Sequence, residues 1–280
     1  MTHLWDKRCR PMRDFAGRSW FWLQAAVNQF HDLCIATARL GVISVSFAMC
    51  AFHSMASACA DLAMVLAIDA SGSVSDADFR LQQDGYARAL LSPPVQAALE
   101  SAGDVQIGVV VWGDGEWAQQ VLPLARLDSP ADTVALSRKI ASLPRSVFGN
   151  TGIGGGIWSA VDLLEDQAPC AFRRIINVSG DGVESVAPRP RNHIPLALAR
   201  QRALDSGITI NGLAIDTEGA GIGAWYRDRV IGGPGAFAMV VSRYADFAVA
   251  IGKKLAREIG PPSLAALSPA TRQGADPNLP

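Results

Sequence analysis

Five oxygen-bearing side chains in this 280-residue chain are spaced so that they could act on one ion. Asp69, Ser71 and Ser73 alternate along "DASGS" directly after an apolar run, Thr151 sits in "GNTGIGGG", and Asp181 sits in "SGDG". Alternate side chains of an extended turn project to one side, so the first three can converge. Mg²⁺ takes oxygen ligands in near-octahedral geometry and keeps some of its waters. Three hydroxyls and two carboxylates can therefore hold Mg²⁺, or Mn²⁺, and leave a coordination position open. Asp and Ser are also common turn residues that bond their own backbone, so the D-x-S-x-S run says little alone. Its weight comes from Thr151 and Asp181 in two further glycine-flanked loops, where glycine lets the backbone come close.

The elements that must position these residues are readable from Asp61 onward. Residues 62–68, 105–112, 174–179, 208–215 and 237–242 are short runs rich in Val and Ile, mostly apolar on both faces. Strands of a sheet covered on both sides read this way. Helical stripes lie between them: Phe79, Tyr86 and Leu90, opened by a capping box at Ser75 and Asp78 and stopped near Pro93-Pro94; Leu136, Ile140 and Leu143; Ile153, Ile157, Val161 and Leu164; the segment 195–207; and Phe247, Ile251, Leu255 and Ile259, stopped at Gly260-Pro261. Alternation of strands and helices predicts a doubly wound, mostly parallel α/β sheet with right-handed crossovers. Residues 117–125 follow a short turn and predict one antiparallel edge strand. In such sheets ligands collect beyond the carboxyl ends of the strands, which is where the three loops fall.

The two ends of the chain read differently. An uncharged apolar stretch, "LGVISVSFAMCAFHSMASACA", ends in Ala58-Cys59-Ala60, a small-residue pattern like a secretory cleavage site. This predicts a leader and signal peptide over 1–60, an exported (periplasmic or extracellular) domain over 61–260, and a disordered proline-rich tail over 261–280. A membrane anchor through residues 40–58 is the alternative. Removal of 1–60 takes Cys9, Cys34, Cys50 and Cys59, leaving Cys170 with no internal disulfide to form, and leaves His193 as the one histidine. Zinc sites built from Cys and His are thereby excluded. The first 60 residues carry six basic and three acidic residues, the remainder nineteen and twenty-three. A mildly acidic body argues against nucleic acid as a partner.

The D-x-S-x-S run, the later Thr151 and the still later Asp181 resemble the metal-ion-dependent adhesion site of von Willebrand A domains. More narrowly, "LAIDASGSVS", "INVSGDG", "ITINGLAI" and "YRDRVIGGPGAF" resemble a bacterial family of exported von Willebrand A-like proteins. The resemblance covers roughly 61–260. It implies a von Willebrand A fold and a binding module rather than an enzyme, whose metal is completed by a Glu or Asp carboxylate of a protein partner. One departure is Gly152, where such sites often have a serine and where a glycine would loosen the loop. An Mg²⁺-dependent phosphatase of the haloacid-dehalogenase type also places an Asp at the end of its first strand, but needs a second carboxylate where this chain has Ser71. Serine hydrolysis lacks its G-x-S-x-G elbow, and the glycines at 152–156 lack the lysine of a phosphate loop. A structural or assembly subunit whose metal only orders the loops is the remaining alternative. Gly232 to Gly235 predict a tight turn, Trp112, Trp117, Trp158 and Trp225 core or half-buried positions, and Arg189, Arg191 and His193 a solvated loop.

Overall fold

The computed structural model describes residues 59–188 and 190–261; the leader and anchor assignments for 1–58, the tail from 262 onward and Arg189 lie outside the described residues. Six strands, β1 (Leu62–Asp69), β2 (Val105–Trp112), β3 (Gln120–Arg126), β4 (Arg173–Gly180), β5 (Thr209–Ile215) and β6 (Ala238–Val241), form one sheet in the order β3-β2-β1-β4-β5-β6. Every neighbouring pair is parallel except β2 with β3, so the antiparallel edge lies where the sequence predicts it. The winding direction reverses between β1 and β4.

Strand β1 shows why the sheet holds together. It is buried along its whole length, and its side chains alternate between two cores. Leu62, Met64, Leu66 and Ile68 join one, Ala63, Val65 and Ala67 the other. The helices α1 (Asp76–Leu90), α2 (Pro93–Ala102), α3 (Pro130–Ala141) and α7 (Phe247–Ile259) cover the first face, and α4 (Ile153–Gln167), α5 (Leu196–Asp205) and the short α6 (Ile222–Trp225) the second. The chain continues from α6 through a π-helical turn, Tyr226–Val230.

Several expectations needed correction. Pro93-Pro94 ends α1 but also begins α2, because proline at the first helical positions loses no hydrogen bond. Ser75 caps α1 by accepting from the Asp78 N–H, while the Asp78 carboxylate takes the Ser75 hydroxyl rather than closing a full box onto the backbone. Trp112 is fully buried, Trp158 and Trp225 are half-buried, but Trp117 is exposed. Cys59 and Cys170 form a disulfide, contrary to the expectation that Cys170 has no partner.

One face of the sheet contains a run of buried polar groups. Gln82 donates to the Asp69 carbonyl and accepts from Ser179; the Tyr86 hydroxyl contacts both Ser179 and Asn177; Asn177 donates to Glu258, which pairs with the buried Lys254. Each member is satisfied by the next, as burial requires.

Candidate metal centre at the strand ends

Strand β1 ends in the turn that holds the first three candidates. One Asp69 oxygen accepts the Ser71 backbone N–H at 2.8 Å, curling the chain so that Ser71 and Ser73 face each other with hydroxyls 3.3 Å apart. The turn is fixed from outside by two contacts. The Gly72 N–H donates to the Gly149 carbonyl at 2.6 Å, tying the first loop to the one that carries Thr151. The Arg145 guanidinium donates to the carbonyls of Ala70 and Ser71 and pairs with Asp76 at 2.7 Å.

Thr151 lies just before α4, its backbone N–H donating to the Ser185 hydroxyl and its own hydroxyl 3.4 Å from that of Ser71. Asp181, directly after β4, accepts the Ser73 hydroxyl at 2.6 Å on one oxygen and the Tyr244 hydroxyl at 2.7 Å on the other. The structure thus brings all five predicted residues together: Asp69 through Ser71, Ser71 to both Ser73 and Thr151, and Ser73 to Asp181. Asp69, Ser71 and Thr151 are buried, Ser73 is exposed and Asp181 half-buried. The cluster is therefore closed below and open on the side of Ser73 and Asp181.

The donor set fits a hard divalent cation. The second Asp69 oxygen is buried with no hydrogen-bond partner, an arrangement that costs free energy unless something outside the protein supplies a partner. The hydroxyl pairs at 3.3 and 3.4 Å are long for O–H···O bonds, which centre near about 2.8 Å. Among the described residues no three His, Cys, Asp or Glu side chains gather around a point, so a cation would depend on the mixed hydroxyl and carboxylate set.

The electrostatics point the same way. Burial, and then the charge of Asp181, pushes the Asp69 carboxyl up to about 7. Burial also raises the Tyr226 and Tyr244 hydroxyls, with Asp69 and Asp181 adding to it. Tyr226 is fully buried, and its hydroxyl and the free Asp69 oxygen both lie within 2.7 Å of the point where a side chain on Gly180 would begin. Glycine at 180 leaves room for them.

Sequence reasoning missed Arg145, which reaches the site from a loop, and Tyr226 and Tyr244, which reach it from a π-helical turn and a 3₁₀ turn with no local pattern. Gln82 carried a readable signal, since a polar residue stands between Phe79 and Tyr86 on an apolar stripe. The expectation for Gly152 is corrected: a β-carbon there would lie 2.5 Å from the Gly113 carbonyl, so glycine packs this loop tightly rather than loosening it. Gly154 and Gly156 are likewise pressed against the Ile194 carbonyl and the Trp112 ring. Gly233 and Gly235, with positive φ, make the tight turn expected before β6. Arg191 pairs with Glu116 at the surface.

Residues 58–263 match the family described as Protein of unknown function (DUF1194). The chain belongs to that family. No curated protein matches it in sequence. The von Willebrand A-like fold is shared with solved structures of low identity. The vWF domain of the type V pili tip protein Mfa5 from Porphyromonas gingivalis superimposes with a TM-score of 0.52 at 14% identity, over 72% of this chain and 95% of that one. The pilus adhesin SpaC from Lactobacillus rhamnosus GG gives 0.53 at 13% identity, over 71% of this chain and 31% of the adhesin, so the match spans about a third of that protein. Proximal thread matrix protein 1 of the mussel byssus gives 0.50 at 14% identity, over 71% and 47%. Among the described residues no helix is long and apolar enough to cross a membrane.

Proposed function

We propose that this DUF1194 chain is an exported, metal-dependent protein-binding module. Asp69, Ser71, Ser73, Thr151 and Asp181 hold Mg²⁺ or Mn²⁺, and a Glu or Asp of a protein partner occupies the open side above Ser73 and Asp181. The observation that carries this reading is the gathering of three hydroxyls and two carboxylates at the strand ends, with one Asp69 oxygen buried without a hydrogen-bond partner. Such an ion supplies positive charge that three neutral hydroxyls leave largely uncompensated on its exposed side, where a carboxylate is attracted.

The surroundings suit a protein better than a small substrate. Trp117 and Phe148 stack edge to face 5.8 Å apart, both exposed, and Val183 and Val186 are exposed on the loop after Asp181. Apolar side chains around a polar centre are the composition of an interface hot spot. Hydrolysis has less support, because Ser71 stands where a phosphatase of this topology needs its second carboxylate. Export is supported by the apolar stretch that ends near residue 60. Two of the similar structures are pilus proteins, which is in keeping with it.

Thermal melts of the folded domain in Mg²⁺, Mn²⁺ and EDTA test the reading. Binding to the native state alone stabilises by about 2.7 kcal/mol at a hundredfold excess over Kd. The melting temperature should rise with either ion, fall back in EDTA, and become indifferent to both in Asp69→Ala. A wild-type melt that ignores Mg²⁺, Mn²⁺ and EDTA alike would overturn the metal-dependent reading.

A further inference from the structure

The Cys59–Cys170 disulfide conflicts with a leader that ends at Ala60. Its Cα atoms are 5.2 Å apart across a sequence separation of 111 residues. Cys170 lies in the turn between α4 and β4, and Cys59 stands one residue before a backbone already woven into the fold. The Ala60 carbonyl accepts the Phe172 N–H at 2.9 Å, the Asp61 carbonyl accepts the Arg173 N–H at 3.1 Å, and Ala60 itself is buried. A cut between Ala60 and Asp61 would remove one half of the disulfide and one buried, hydrogen-bonded residue. The family match begins at residue 58. Immediately upstream stands a second small-residue pattern, Ala56-Ser57-Ala58.

We infer that the leader is removed between Ala58 and Cys59, and that the mature chain begins with Cys59 held to Cys170. This rests on the export reading given above and adds to it where processing occurs and what it preserves. In the cut, water adds across the Ala58–Cys59 peptide bond, leaving a carboxylate on Ala58 and a free amine on Cys59. In the oxidation, the two thiols give up two protons and two electrons to a protein disulfide donor, which departs as its dithiol. Both cysteines are exposed, so such a donor can reach them. Persistence of the bond calls for an oxidising compartment, and a sulfur engaged in it cannot carry a lipid.

The full chain, expressed with its own leader in a bacterium that exports to an oxidising periplasm, provides the test through N-terminal sequencing, intact mass and alkylation. The expected product starts at Cys59, takes no iodoacetamide until it is reduced, and takes two equivalents afterwards. In Cys170→Ser the start should remain Cys59, with one thiol alkylated without reduction. An exported product that starts at Asp61 or any other residue, a Cys170 alkylated without reduction, or a lipid on Cys59 would overturn the inference while leaving export standing. A chain kept uncleaved inside the cell would overturn both.

Discussion

Asp69 concentrates the electrostatic conflict of the site. It is fully buried, one oxygen is bonded to Ser71, the other has no partner, and Asp181 adds a second negative charge. Its carboxyl therefore moves from an ordinary 3.8 to about 7 in the folded chain. The sign of the linkage follows. Between about pH 4 and pH 7 the folded chain keeps a proton that the unfolded chain has released, so without a divalent ion stability falls as pH rises through that window, by roughly 4 kcal/mol at about 1.4 kcal/mol per pKa unit. A cation displaces the same proton, so its affinity should climb over this window and level off above it. We expect EDTA-treated protein to melt lower at about pH 8 than at about pH 5.5, and Mg²⁺ to raise the melt more at the higher pH. Asp69→Asn should flatten both trends; equal pH slopes in wild type and Asp69→Asn would refute the assignment. The chemistry of these five residues was legible because it lies in residue type and local spacing. Tyr226 and Tyr244 were not, since their roles depend on which helical turns reach Asp69 and Asp181 in space.

At the scale of elements, α4 shows how glycine content can mark packing rather than looseness. A β-carbon at Gly152 would meet the Gly113 carbonyl at 2.5 Å, whereas one at Gly155 would meet only the Gln119 amide at 3.4 Å. Gly152→Ser, although it installs the residue common at such sites, should therefore destabilise by about 1–3 kcal/mol through overpacking. Gly155→Ala should stabilise by up to about 1 kcal/mol through helix propensity. Urea unfolding of the two variants decides the matter, and a neutral or stabilising Gly152→Ser would show that the loop can yield. The strands were legible because residues such as Val109, Val110 and Val111 form runs apolar on both faces, a pattern only a covered sheet explains. Helix α2 was lost because Pro93-Pro94 signals a stop and a start with the same residues. The pressure on Gly152 could not be read at all, because Gly113 is distant in sequence and contributes a backbone oxygen.

For the molecule as a whole, the Cys59–Cys170 bond closes rather more than half of the domain into one loop. A closed loop of about 100 residues restricts the unfolded chain, and loss of a native disulfide costs about 2–5 kcal/mol. The Cys59→Ser, Cys170→Ser double variant should be less stable by that margin in urea, with a steeper transition because its unfolded chain exposes more surface. An unchanged midpoint would mean that the bond adds nothing to the fold. The bond was illegible because the cleavage pattern around Ala58 to Ala60 assigns Cys59 to the discarded leader. The buried polar chain from Gln82 to Lys254 acts on a different property of the molecule, its uniqueness. Phe247, Ile251, Leu255 and Ile259 repeat once per turn, so greasy contact alone would accept α7 slid along its groove by one turn, about 5.4 Å. Lys254, Glu258 and Asn177 would not accept it. Sliding would carry the Lys254–Glu258 pair along but break its hydrogen bond to Asn177, leaving buried polar groups unpaired at a cost of about 1–3 kcal/mol. These residues work as the wards of a lock: they add little grip, yet they admit the final helix in a single seating.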